Sequence, residues 1–164
     1  MLLLKSRCLK DMYDMKGQVT TIGYLSWHHV VIERDSTIVR ELRAAGAVMY
    51  CKTTMPQTGM ALETNSNLWG RTLNPYNSSL VSGGSSGGDG ALVAMRGSPI
   101  SPSSNIGGSI RAPAAFNGLY SIRPSSEWIP KVGMCSTVAG NLSIKTFPDQ
   151  SLTALLTWKC SRKS

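Results

Sequence analysis

The residues able to do chemistry crowd one stretch of this 164-residue chain. Nine of its 16 glycines lie between Ser82 and Gly118. Seven of them fall in two loops, Gly83-Gly84-Ser85-Ser86-Gly87-Gly88-Asp89-Gly90 and Gly107-Gly108-Ser109-Ile110-Arg111. A flexible Gly/Ser linker would have a similar composition. Each loop instead runs into a packing segment, Ala91–Met95 after the first and Ala112–Phe116 after the second. Glycine loops that feed ordered elements suit backbone amides aimed at a bound group. The chemistry on offer is attack by a serine hydroxyl.

Serine is a weak nucleophile and needs a base to take its proton. Gly83-Gly84-Ser85-Ser86-Gly87 satisfies the GxSxG pattern. That motif requires a strand before it and a histidine after it. Residues 78–82 read as a poor strand, and no histidine follows His29. Lysine is the remaining base. It works only when neutral, so burial or nearby positive charge must lower its pKa by several units from about 10.4. An SxxK pattern is absent, which places the lysine in a distant part of the chain. On composition, Lys5, Lys16 and Lys52 rival Lys10. Phosphate chemistry is discounted, because neither GxxxxGK[ST] nor GxGxxG occurs.

Around these loops the chain has the size and composition of one domain, 41% hydrophobic and 16% charged. The elements that must position the loops are legible in part. Asp35 or Ser36 caps a helix over 36–45, with Ile38, Leu42 and Ala45 at helical spacing. Gly46 closes it, and Ala47–Cys51 follows as a short buried strand. Helix, glycine and strand in that order indicate an α/β layer. Residues 53–82 are rich in turn formers, Leu119–Ile122 is an apolar strand, and 149–158 reads as a final helix before a frayed tail, 159–164.

Other function classes fit poorly. The net charge of +8 invites nucleic acid. The basic residues, however, gather at the ends or scatter singly, with no stripe and no interleaved aromatics. No window approaches the roughly 20 apolar residues of a membrane span. Cys8, Cys51, Cys135 and Cys160 show no CxxC spacing, and His28 and His29 are adjacent. A zinc site or a disulfide framework is therefore not expected. Free thiols suit a reducing compartment, and the expected location is cytoplasmic.

Gly83–Leu92, followed by Ile106-Gly107-Gly108-Ser109-Ile110-Arg111 and Pro113-Ala114, closely resembles the amidase signature family. Leu9-Lys10-Asp11-Met12-Tyr13-Asp14-Met15-Lys16-Gly17 is similar to the family's catalytic-lysine segment. Lys52-Thr53-Thr54-Met55-Pro56-Gln57, Gly70-Arg71-Thr72-Leu73-Asn74-Pro75 and Val138-Ala139-Gly140 resemble further landmarks in the same order. The flavour is that of the fungal acetamidase-like branch. The resemblance implies an α/β fold, a mixed sheet flanked by helices. The 164 residues would form a single partial amidase domain with its core signature over 82–124. It also implies amide hydrolysis through an acyl-enzyme, on a small-molecule amide substrate, with no metal and no organic cofactor.

Carried over by position, Ser109 is the nucleophile, Ser85 the bridging serine after a cis peptide at Gly84–Ser85, and Lys10 the base. Ile106, Gly107, Gly108 and Ser109 would supply the oxyanion hole, with Ser86 and Arg111 in support. Two departures bear on that loop. Asn105 stands where the family carries an acid, and Pro102 removes a backbone donor. The family domain is also much longer. An exposed core edge, and self-association through it, are therefore expected. Two alternatives accompany the hydrolase reading: a non-catalytic remnant, and a member of the A-type amidotransferase subunits.

Overall fold

The computed structural model describes residues 6–125, 128–135 and, for the backbone, 154–158. The central unit is a parallel pair, β1 (Ser6–Lys10) and β2 (Val48–Thr53). Parallel neighbours need a long crossover. Here it contains α1 (Thr37–Ala44). The helix begins where Ser36 takes the N-cap position, but the Ser36 hydroxyl makes no cap bond. Gly46, at φ +82°, ends it as the sequence implied. Val39 is the helix's buried residue, whereas Ala45 is exposed.

From Cys8 onward β1 is covered on both faces, whereas β2, expected as a buried strand, leaves Val48 and Tyr50 about half exposed. Leu9 points into a core with Met12, Tyr13, Ile22, Val39 and Met55. Cys8 points the other way, against Val93, Ile110 and Ala114. The register shifts by one residue between Arg7 and Cys8, so that Met49 pairs with Arg7 but Cys51 pairs with Cys8. Tyr50 is the extra residue of this bulge. Its hydroxyl bonds the Gly97 carbonyl, on the Cys8 side, and Cys51 packs on that side too.

The segment expected to be loop-rich carries two small hairpins. The first pairs β3 (Asn65–Ser66) with β4 (Gly70–Arg71), and the second pairs β5 (Leu73–Asn74) with β6 (Asn77–Val81). Residues 78–81 are therefore strand despite their serines, because pairing with β5 overrides a weak local preference. Next come α2 (Gly87–Ala94), β7 (Ile100–Ser103), α3 (Arg111–Phe116) and β8 (Leu119–Ile122). Pro113 falls in the first turn of α3, where a missing N–H breaks no helical bond.

Helix α2 starts earlier than its composition suggests, inside the glycine run. Close approach is the reason. A Cβ on Gly88 would sit 2.5 Å from the Thr54 nitrogen, and one on Gly87 would meet the Thr64 hydroxyl at 2.4 Å. The helix thus lies against the ends of neighbouring segments where only glycine fits.

The expected helix over 149–158 is corrected in its second half: Ala154–Trp158 is a strand, β9. It lies between β7 and β8, antiparallel to both, and completes a three-stranded sheet. A five-residue apolar run does not by itself distinguish helix from strand. Residues 149–153, the tail 159–164 and the Val138–Gly140 landmark lie outside the described residues. With its parallel pair, antiparallel trio and helices on both sides, the chain is a partial α/β fold.

Candidate active site

Lys10 is the last residue of β1 and faces the same side as Cys8. Its side chain is fully buried, not solvated as most lysines are. Nζ donates to Ser85 Oγ at 2.7 Å and to Ser104 Oγ at 2.8 Å. Burial pushes the Lys10 pKa down to about 7, against an opposing pull from the charge of Asp89. The amine thus passes into its neutral form close to neutral pH, the state in which it can accept a proton.

Ser85 follows a cis peptide at Gly84–Ser85, where the resemblance put one. A Cβ on Gly84 would meet the Ala61 carbonyl oxygen at 2.6 Å, so glycine is required before it. Ser86 is buried. Its N–H donates to the Ser109 carbonyl at 3.1 Å and its hydroxyl to the Ser104 carbonyl at 3.4 Å. The first glycine loop is in this way stitched to the second. Among the described residues the Ser109 hydroxyl makes no hydrogen bond, and it is nearly but not wholly buried, at 7% exposure.

The loop from Ile106 to Ser109 has four consecutive N–H groups that donate to no other described residue. Gly108 holds φ at +125°, a conformation that disfavours any side chain. Asn105 spans the loop from beneath: its Oδ1 accepts the Ile110 N–H at 3.0 Å. The departure from an acid at 105 therefore leaves the loop pinned. Its cost falls on Nδ2, a buried donor with no partner among the described residues. Pro102 falls within β7, paired with Leu155.

Arg111 makes no hydrogen bond with Lys10, Ser85 or Ser109 among the described residues. It opens α3, is exposed, and makes no hydrogen bond or ion pair among the described residues. The rival Lys52 lies on the opposite face of the strand pair. Its Nζ pairs with Asp11 at 2.8 Å and donates to the Val19 carbonyl and the Thr20 hydroxyl. Lys16 is exposed, and Lys5 lies outside the described residues.

Two participants were not read from the sequence. Ser104 is the second partner of Lys10; it is a hydroxyl residue directly before Asn105, where the family ends its stretch in Thr-Asp. Asp89 is fully buried in the first turn of α2, and its Oδ1 accepts from Thr53 at 2.7 Å and from Ser101. Burial raises the Asp89 pKa, with those hydroxyls opposing the shift. No group of three or more His, Cys, Asp or Glu among the described residues could hold a metal ion.

Chemically, the arrangement sets a hydroxyl against a buried amine, with a second serine and a row of free amides alongside. Such an assembly suits acyl transfer. The Amidase family model matches residues 7–147, and the chain belongs to that family. Amidase FG08078 of Gibberella zeae is 63% identical over 137 residues, covering 84% of this chain and 25% of the relative. The Acetamidase of Emericella nidulans is 48% identical over 136 residues, 83% of this chain and 25% of its own length. Among solved structures, a fatty acid amide hydrolase superposes with a TM-score of 0.82 at 38% identity, over 93% of this chain and 26% of that one. The native peptide amidase of Stenotrophomonas maltophilia gives 0.72 at 29% identity, over 79% and 27%. The chain thus spans about a quarter of the length of these relatives. No helix among the described residues is long and apolar enough to cross a membrane.

Proposed function

We propose that this chain carries the proton-transfer core of an amide hydrolase acting through an acyl-enzyme. Ser109 Oγ attacks the carbonyl carbon of a carboxylic amide. Its proton passes to Ser85 Oγ as the Ser85 proton passes to the Lys10 amine. The oxyanion that forms is met by the N–H groups of Ile106, Gly107, Gly108 and Ser109; in enzymes of this kind one such donor is worth about 10²–10³ in rate. As the carbon–nitrogen bond breaks, Ser85 returns a proton to the leaving nitrogen and is resupplied by Lys10. Water then repeats the sequence, releasing the acid and restoring Ser109.

The observation that carries this reading is the 2.7 Å contact between a fully buried Lys10 Nζ and Ser85 Oγ. A small amide is the favoured substrate class, since the similar Emericella nidulans protein is named an acetamidase. A fluorophosphonate probe tests the assignment. Folded chain should be modified at Ser109, found by peptide mass spectrometry, and S109A should not. Unmodified wild type that is demonstrably folded would overturn the reading.

A second reading has its own support. Phe116, Tyr120, Ile122 and Trp128 are more than half exposed. Apolar groups of that size on a surface favour association with another polypeptide. Under this reading the chain is non-catalytic alone and self-associates. A monomer with a cooperative melt would contradict it. An amidotransferase role has less support, because the more similar relatives are named amidases and acetamidases. We place the protein in the cytoplasm, where free Cys8, Cys51 and Cys135 would stay reduced.

A further inference from the structure

We propose that Ser104 is a positioning residue that holds the Lys10 amine with its lone pair turned onto Ser85. This rests on the hydrolase reading above. A neutral primary amine has two N–H donors and one lone pair, and the ammonium has three donors and none. Lys10 Nζ has two oxygen neighbours, Ser85 at 2.7 Å and Ser104 at 2.8 Å. Ser85 must give its proton to the lone pair, so an N–H of the same amine goes to Ser104. Once the proton has moved, the ammonium donates to both hydroxyls, and the Ser104 contact persists through the transfer. The lysine stem is long and would otherwise lose its direction at each step.

Ser104 is built to stay still. It is 3% exposed, its carbonyl accepts the Ser86 hydroxyl, and Asn105 beside it is fully buried. The charged groups around Lys10 do not substitute for it. Asp89 on α2 is tied to Thr53 and Ser101, and Cys8 on β1 lies near Asp89 at 4.0 Å. Strand β2 presents Thr53 and Cys51 on this face, while Asp11 and Lys52 pair on the other. Strand β7 offers Ser101 and Ser103, which are hydroxyls. Helix α3 contributes only Arg111, which is exposed.

The test uses the 164-residue chain, read by fluorophosphonate labelling of Ser109 across pH and by the 13Cε resonance of Lys10, assigned with K10M. In S104A the labelling plateau should fall at least about tenfold, since a misdirected base loses most of its advantage. Its midpoint should move to lower pH, because the ammonium loses an acceptor more than the amine does. A lower plateau with more neutral amine separates orientation from a mere change in basicity. S104T should recover wild-type labelling, and S104V, its isostere without the hydroxyl, should not. If S104A fails to fold, the Thr/Val pair alone carries the comparison. Equal plateaus and midpoints in S104T and S104V overturn the proposal. If wild type is not labelled at all, the hydrolase reading fails, and the Lys10 midpoint in S104T against S104V then decides whether Ser104 binds the amine.

Discussion

Lys10 and Lys52 are neighbours on adjacent parallel strands, both largely buried, yet their surroundings differ in one respect. Lys10 is met by hydroxyls alone, whereas Lys52 meets a carboxylate besides the Thr20 hydroxyl and the Val19 carbonyl. Desolvation lowers the pKa of each. At Lys52, Asp11 opposes that shift at contact distance and holds the charge in place. At Lys10 the direct partners are neutral and can themselves lose or gain a proton. Burial is common to both lysines; the carboxylate at contact distance is what sets Lys52 apart. The Lys52 side works as a brace, with Asp11 Oδ2 also taking the Thr21 N–H and hydroxyl.

The sharpest way to break this contrast is to remove each amine in turn. K10M should cut fluorophosphonate labelling of Ser109 by about 10³-fold, within the range of a lost general base. K52M should leave Asp11 as an unpaired buried charge and cost about 3 kcal/mol of stability by urea denaturation. Its labelling midpoint should stay where the wild type has it. A K52M protein as stable as wild type would erase the distinction between brace and base.

Acidity separates the two sides as well. Labelling should rise with pH through about 7 as Lys10 becomes neutral, and then level off. The same group sets a slope in stability. Unfolded, Lys10 keeps its proton to about 10.4, whereas folded it releases it near 7. Between those values the unfolded chain binds more protons, so stability rises with pH on this account. K10M should flatten that rise in urea titrations at several pH values, and an unchanged slope would mean the amine is not buried. The smallest effect belongs to the loop from Ile106 to Ser109. A Cβ on Gly107 meets nothing within 4 Å, while Gly108 holds φ +125°. G107A should label within a few-fold of wild type, and G108A should be slower than G107A.

Much of this was legible in the sequence. The absence of a histidine after His29 forced attention onto lysine, and the motif around Lys10 selected one. Helix α1, strand β2 and strand β8 followed from local periodicity and from Gly46. What escaped notice depends on contacts between distant segments. Strands β6 and β7 are full of serine, asparagine and proline, and only their partners make them strands. The start of α2 was hidden because glycine reads as a loop former, whereas at Gly87 and Gly88 it marks a close approach to Thr64 and Thr54. Strand β9 shares its apolar run with a plausible helix. Ser104 was passed over because it lies in the segment where the family pattern breaks, although it keeps the hydroxyl. Arg111 was expected in support and is exposed, because its spacing in the motif says nothing about its direction.

The one-residue bulge at Tyr50 has an effect out of proportion to its size. Were the ladder to continue in step from Arg7 and Met49, Lys10 would sit directly opposite Lys52, and both would emerge on the same side. Two lysine amines would then compete for the same few oxygens. Counting Tyr50 as a spare shifts the parity of everything after it: Thr53 comes to rest beside Lys10, and Lys52 is sent round the back. A single inserted amino acid keeps two lysine amines apart.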